Sequence, residues 1–181
     1  MNKLQTLSLA TAAALTECSR RTWWRRIEQD LIKRIDSDSS NQARILLSDV
    51  LTYISVPLDE EDLKLILNAD AGDPDSQNDL GQIFSIAGKP KIAFYWWEKS
   101  AHQNYPDAMQ CLGYLYVAGQ GIPQNTNLGI MWIAKAADAG HSIAAFQMNA
   151  LTQKSLIRTT QAPYFMPVAK VFISPKFHSA E

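Results

Sequence analysis

The amino-acid sequence predicts a mainly α-helical protein in which a small basic head precedes a short α-solenoid of helical hairpins. The sequence pattern of a helical hairpin occurs twice, over residues 73–104 and 105–140. The tetrapeptide Ala-Asp-Ala-Gly also occurs twice, at 69–72 and 137–140. Copies of 32 and 36 residues lie close to the roughly 34-residue period of helical repeat arrays. Residues 1–35 hold seven basic and three acidic side chains in a chain of net charge −1, so the basic head precedes an acidic body.

Composition limits the class of protein. A chain of 181 residues with 46% hydrophobic content is long enough for one ordinary core or two small ones. Its two cysteines, Cys18 and Cys111, do not form a disulfide framework, which fits a reduced cytoplasm. Because no apolar run approaches the roughly 18 residues of a membrane span, we expect no membrane-spanning helix. The basic head favours an anionic partner, either nucleic acid or a membrane surface.

The first eighteen residues have an alternative interpretation as a lipoprotein signal, with Lys3, a mildly apolar stretch and then Cys18. Glu17 stands where a cleavage site needs a small residue, and the stretch is rich in Ala, Ser and Thr. We therefore expect a cytoplasmic protein, with attachment to the envelope as the alternative.

The head reads as two short helices followed by a hairpin. Ser8 can cap the first helix, and Ser19 can cap the second, SRRTWWRRIEQ, after a break at residues 16–18. Trp23 and Ile27 lie four residues apart and are expected to face the core, which turns the arginines outward. Such a helix can enter a DNA major groove, where its N-terminus favours a phosphate and arginines reach phosphates or guanine edges. LIKRI, a polar turn and QARILL predict a β-hairpin, and residues 48–51 a third helix.

This head resembles the winged helix-turn-helix of the MerR and phage-excisionase group. The matching residues are Ala13, Leu15, Ser19, Arg20, Arg21, Thr22 and Arg25. Two positions depart from the family: Glu17 replaces the usual Gly of the turn, and Arg26 replaces a common aromatic core residue. The resemblance implies double-stranded DNA as partner, bound by a recognition helix and a wing. The residues assigned to DNA are Ser19, Arg20, Arg21, Trp24 and Arg25 on the helix and Lys33, Arg34 and Arg44 on the wing. A solvated face, or a basic helix lying on a membrane surface, is the alternative.

Pro57 disfavours helix at Val56, so we place the boundary between head and body within YISVPL. Asp59 to Asp62 then open a helix whose dipole the carboxylates complement. Proline begins three further helices at positions 74, 90 and 106, and a last long helix is predicted from about Asn127 to Ala139. Ser142 begins another helix, which closes the open end of the stack.

The body resembles the Sel-one-like repeat family, a subclass of the tetratricopeptide-type solenoids. The carriers are residues 112–116 (LGYLY), 119–124 (GQGIPQ), Trp132, 135–137 (KAA) and Gly140. The first copy is degenerate, since it lacks the Gly-x-Gly loop. The resemblance implies antiparallel helix pairs and a role in assembling protein complexes or in signalling. It does not imply catalysis.

We therefore predict three regions: a helix-turn-helix with a hairpin wing over 1–55, a repeat solenoid over 56–158, and an irregular tail over 159–181. The predicted function is a bacterial DNA-binding regulator or adaptor whose repeats bind a protein or peptide. The sequence is compatible with an oligomer. The alternative is a protein-interaction scaffold without DNA affinity. His102 and His141 lack ligand-spaced partners, and Cys111 fits a core position. We expect no catalytic residue, metal or cofactor, and the sequence assigns no partner-binding residue.

Overall fold

The computed structural model describes residues 4–36 and 43–160 of the chain. The head consists of β1 (Thr6–Ser8), α1 (Leu9–Thr16), α2 (Arg20–Glu28), β2 (Ile35–Asp36), β3 (Ala43–Leu46) and α3 (Leu47–Leu51). The body consists of α4 (Glu60–Ala71), α5 (Pro74–Ile86), α6 (Pro90–Ala101), α7 (Pro106–Ala118), α8 (Thr126–Asp138) and α9 (Ser142–Thr160).

Serine side chains begin both helices of the head, as predicted. Ser8 Oγ accepts a hydrogen bond from Thr11 N, and Ser19 Oγ accepts one from Thr22 N, each with a donor–acceptor distance of 3.1 Å. These bonds satisfy backbone donors that have no partner within the helix. Glu17, between the helices, has a left-handed φ of 55°. Glycine adopts that conformation without the steric cost that a side chain brings.

A three-stranded antiparallel sheet with strand order β1-β3-β2 completes the head. Leu7 pairs with Ile45 and Ile35 pairs with Arg44. The sequence did not predict β1. The predicted first strand of the hairpin began at Leu31, whereas β2 begins only at Ile35. Leu31 N donates to Arg26 O, and Asp30 has a φ of 54°, so these residues still close α2. The hairpin turn, residues 37–42, lies outside the described residues.

The body forms two helical hairpins, α5 with α6 and α7 with α8, between α4 and α9. Proline occupies the first turn of α5, α6 and α7, as predicted, and α8 begins one residue before the predicted start. Within each hairpin, one glycine lets the helices approach closely. A Cβ on Gly81 would lie 2.5 Å from the Trp97 ring, and one on Gly113 would lie 2.7 Å from Ile133 and 2.8 Å from Gly129 O.

One hydrophobic core runs from Leu7 in the head to Ala144 in α9. Trp96 and Trp132 fill the hairpins, with 0% and 8% of their surfaces exposed. The head packs on the body where β1 meets α4 and α1 meets α6. α9 continues to Thr160, two residues into the region predicted as tail, and the remainder of that region, with its predicted strand character, lies outside the described residues.

Candidate nucleic-acid interface and repeat surface

Helix α2 presents two different faces. Trp23 is fully buried, whereas Arg20, Arg21 and Arg25 are exposed and Trp24 is 40% exposed. The helix begins at the Ser19 cap, so its N-terminal N–H groups lie next to the first two of these arginines. The outer face of α2 is therefore cationic, with one aromatic side chain among the arginines.

The residues that lead into the hairpin meet this face. The guanidinium of Arg34 lies 5.7 Å from the centre of the Trp24 ring, within the range of a cation–π contact. Lys33 beside it is exposed. The structure thus brings these predicted wing residues close to the predicted recognition helix.

Arg44, the third predicted wing residue, points elsewhere. Its Nη2 donates to Asp70 Oδ2 of α4 over 2.6 Å and to the Thr6 carbonyl over 2.7 Å. The Asp70 side chain is only 2% exposed, and it also accepts from Ser8 N over 3.2 Å. Arg44 therefore ties the sheet of the head to the body, and we leave it out of the DNA-contacting set.

Arg26 lies beside two aromatic side chains of the head. Its guanidinium lies 3.9 Å from the centre of the Tyr53 ring and 4.7 Å from that of Trp23. The two rings meet edge to face at 5.4 Å. The guanidinium of Arg26 thus packs against a buried and a partly exposed aromatic ring, an arrangement that its planar, delocalised charge favours.

The first helices of successive hairpins, α5, α7 and α9, share a face. Asp75, Asp107 and Ile143 occupy the same position in the three helices, and Tyr114 lies about two turns after Asp107 on the same side of α7. Tyr114 and Ile143 are 51% and 59% exposed. We call these four residues the acidic–apolar face, because it changes from carboxylates on α5 and α7 to an apolar side chain on α9.

Charges concentrate at the α5 end of this face. Tyr105 Oη donates to Asp75 Oδ1 over 2.5 Å, and this bond raises the pKa of the tyrosine to about 12. Burial raises the pKa of Asp79, and the nearby carboxylates of Asp75 and Asp107 raise it further. His141 Nε2 lies 3.3 Å from Asp107 Oδ1. Sequence reasoning missed this cluster because its members come from different helices.

The other titratable candidates are not brought together. His102 Nδ1 contacts the Glu98 carbonyl at 2.7 Å in its own helix. Burial raises the pKa of Cys111 to about 11. Within residues 4–36 and 43–160, no group of three or more His, Cys, Asp or Glu side chains is placed to hold a metal ion. The helices of this part of the chain are too short or too polar to cross a membrane.

The two hairpins match a known family of helical repeats. The Sel1 repeat model matches residues 74–105 and 106–141, which are the α5–α6 and α7–α8 hairpins and the turns that follow them. Two stretches of the chain match the Sel1 repeat. The matched boundaries lie one residue from those predicted, and both the degenerate first copy and the complete second copy are recognised. Repeats of this type are protein-interaction modules.

A solved Sel1 repeat protein from Oxalobacter formigenes is similar to this chain, with 27% sequence identity and a TM-score of 0.44. The match covers 59% of this chain and 41% of that protein, so this chain corresponds to less than half of its relative's length.

Proposed function

We propose that the protein is a non-enzymatic adaptor that binds double-stranded DNA through a winged helix-turn-helix head and a protein partner through its Sel1 repeats. The main support for DNA binding is the outer face of α2, where Arg20, Arg21 and Arg25 are exposed beside a partly exposed Trp24. The buried Trp23 fixes the orientation of that face. A regulatory role in a bacterial cytoplasm is part of this proposal.

The order of elements in the head supports the proposal. Two helices joined by a short turn precede an antiparallel β2–β3 pair. In helix-turn-helix proteins the second helix enters the major groove and its N-terminal residues read base edges. Here that helix carries Ser19 at its cap and the arginines in its first two turns, so phosphate and guanine contacts are both available. Lys33 and Arg34 extend the cationic surface toward the hairpin.

The repeats support the second half of the proposal. The head docks through Asp70 on α4, which precedes the first repeat, so α5, α7 and α9 keep their acidic–apolar face exposed. An acidic face would repel DNA, whereas exposed aromatic side chains are common anchors for protein partners. The two surfaces are therefore suited to different partners.

The test is a fluorescence-anisotropy titration of labelled duplex DNA at several salt concentrations. Arg21→Ala combined with Arg25→Ala should weaken binding at least tenfold and lower the salt slope by about 2, because each lost phosphate contact removes roughly 0.9. Lys64→Ala combined with Lys135→Ala is the matched control, since it removes two charges from the exposed surface of the body. No binding at low salt, or equal effects of the two pairs, would refute DNA binding and leave the scaffold without DNA affinity.

A further inference from the structure

Three carboxylates meet around the hydroxyl of Tyr105 at the α5 end of the acidic–apolar face. The bond from this hydroxyl to Asp75 raises the pKa of the tyrosine to about 12, and burial and the nearby charges of Asp107 and Asp79 contribute. We call Asp75, Asp79 and Asp107 the carboxylate cluster. Its members come from two successive hairpins, since Asp75 and Asp79 lie one turn apart on α5 and Asp107 lies on α7.

The carboxylate cluster is short of positive charge. Within the part of the chain that the structure describes, none of its carboxylates forms an ion pair with a lysine or an arginine. The His141 ring contacts the cluster, with its Nε2 3.3 Å from Asp107 Oδ1. Burial raises the pKa of Asp79, and the charges of Asp75 and Asp107 raise it further, because neighbouring carboxylates disfavour ionisation. A cation placed between the carboxylates relieves this repulsion.

A buried acceptor beside the cluster lacks a donor. Asn78 is 2% exposed, and its Nδ2 donates to Asp79 Oδ1 over 3.3 Å. This bond fixes the orientation of the amide, because the reverse orientation would set two oxygens against each other. The amide oxygen, Asn78 Oδ1, has no hydrogen-bond donor among the described residues. Since buried polar atoms are nearly always paired, this oxygen points to a donor that a bound group supplies next to Asp79.

The chemistry of the cluster favours an arginine side chain. Within residues 4–36 and 43–160, no three His, Cys, Asp or Glu side chains are placed to hold a metal ion, so a larger cation suits the spacing of the carboxylates. A guanidinium is planar and carries five N–H donors, which can serve two carboxylates and a neighbouring amide oxygen together. Apolar surface continues from the cluster along the acidic–apolar face, where Tyr114 and Ile143 are 51% and 59% exposed.

We propose that the protein partner of the repeats inserts an arginine side chain into the carboxylate cluster and lays an adjacent apolar side chain against Tyr114 and Ile143. The guanidinium pairs with the carboxylates of Asp75, Asp79 and Asp107. This inference rests on the protein binding proposed above for the Sel1 repeats, and it specifies the chemistry of the partner. It does not depend on whether the head binds DNA.

The test is a selection of random peptides displayed on phage against the immobilised full chain. Enriched peptides should share an arginine next to an apolar residue. A selected peptide, synthesised with a fluorescent label, should bind at least about tenfold more weakly when citrulline replaces its arginine, because citrulline keeps the shape and removes the charge. Peptides enriched without a shared arginine would refute this inference and leave peptide binding by the repeats intact. No enrichment at all would count against both.

Variants of the chain test the position of the site. Asp75→Asn plus Asp79→Asn should weaken the selected peptide at least about tenfold and remove the preference for arginine over citrulline, because both charges are lost while the shapes are kept. Glu61→Gln plus Asp138→Asn, at exposed positions of α4 and α8, is the matched control and should leave the affinity unchanged. Equal effects of the two pairs would refute the cluster as the site. Sedimentation of the chain alone gives a further outcome: dimers that the Asp75 and Asp79 variant dissociates would place an arginine of a second copy in the cluster and overturn the choice of a separate protein.

Discussion

Removing Asp70 should separate the stability of the head from that of the body. This carboxylate is the buried polar link between head and body among the described residues: it accepts from Arg44 Nη2 at 2.6 Å and from Ser8 N at 3.2 Å, with its side chain 2% exposed. The other ion pair between head and body, Lys89 with Glu17 at 3.4 Å, is exposed. Asp70→Ala leaves the Ser8 N–H without its partner, a loss of about 1–3 kcal/mol. The Arg44 guanidinium keeps its Thr6 bonds and is 26% exposed, so water can partly replace the ion pair.

Asp70→Ala should therefore lower the free energy of unfolding by about 2–4 kcal/mol. This is somewhat less than the roughly 3–5 kcal/mol lost when one partner of a fully buried ion pair is removed. Arg44→Met should be at least as damaging, because it leaves the carboxylate charged in a site with little water. The double variant Asp70→Ala plus Arg44→Met should lose less unfolding free energy than the sum of the two single losses, because it removes both charges and leaves no buried charge unpaired.

Urea unfolding followed by tryptophan fluorescence and by far-ultraviolet circular dichroism measures these losses. The two probes should coincide in the unaltered chain and diverge in Asp70→Ala, where the head unfolds first. Lys64→Ala, at an exposed position of the same helix, is the control and should shift the midpoint little. A loss under about 1 kcal/mol with coincident transitions would refute the anchoring role.

Three further predictions concern single residues. Gly81→Ala should destabilise the chain by about 1–3 kcal/mol, because the new Cβ would lie 2.5 Å from a buried tryptophan ring, whereas the neighbouring exposed Gln82→Ala should be nearly neutral in the same urea assay. Glu17→Gly should stabilise the chain by up to about 1 kcal/mol, because φ is 55° there, and Glu17→Ala should give no gain; a gain from alanine would contradict the argument from backbone strain. Burial raises the pKa of Cys111 from 9.0 to about 11, so its thiolate at pH 8 should be about a hundredfold scarcer than in an unperturbed thiol. Its alkylation by iodoacetamide should therefore accelerate tenfold per pH unit up to about pH 11 while the fold holds, as measured by mass spectrometry on a Cys18→Ser background, and a plateau near pH 9 would contradict this.

The helices could be predicted from sequence because their signals are local. Ser8, Ser19 and Pro106 begin helices through contacts within one turn, and the repeated glycines mark close approach within a hairpin. Strand β1 could not be found in this way, since Leu7 pairs with Ile45 far along the chain. Three residues with no alternation of their own give no strand signal.

The same distinction explains the outcome for the candidate site. The helical spacing around the buried Trp23 turns the arginines of α2 outward, so the exposure of Arg20, Arg21 and Arg25 could be predicted from the sequence pattern. The engagement of Arg44 was not, because its partner Asp70 lies 26 residues away in another region. Arg26 is a similar case: its place beside Tyr53 depends on α3 returning over α2, which no local pattern specifies.

Helix α9 differs from α5 and α7 at two positions that decide how closely another helix can pack on it. Asn149 stands where Gly81 and Gly113 lie in the preceding repeats, and a side chain at those glycines would collide with the second helix of the hairpin. Leu151 stands where Leu115 lies, yet it is 43% exposed whereas Leu115 is 1% exposed. α9 therefore retains apolar surface but lacks the glycine through which another helix could pack closely.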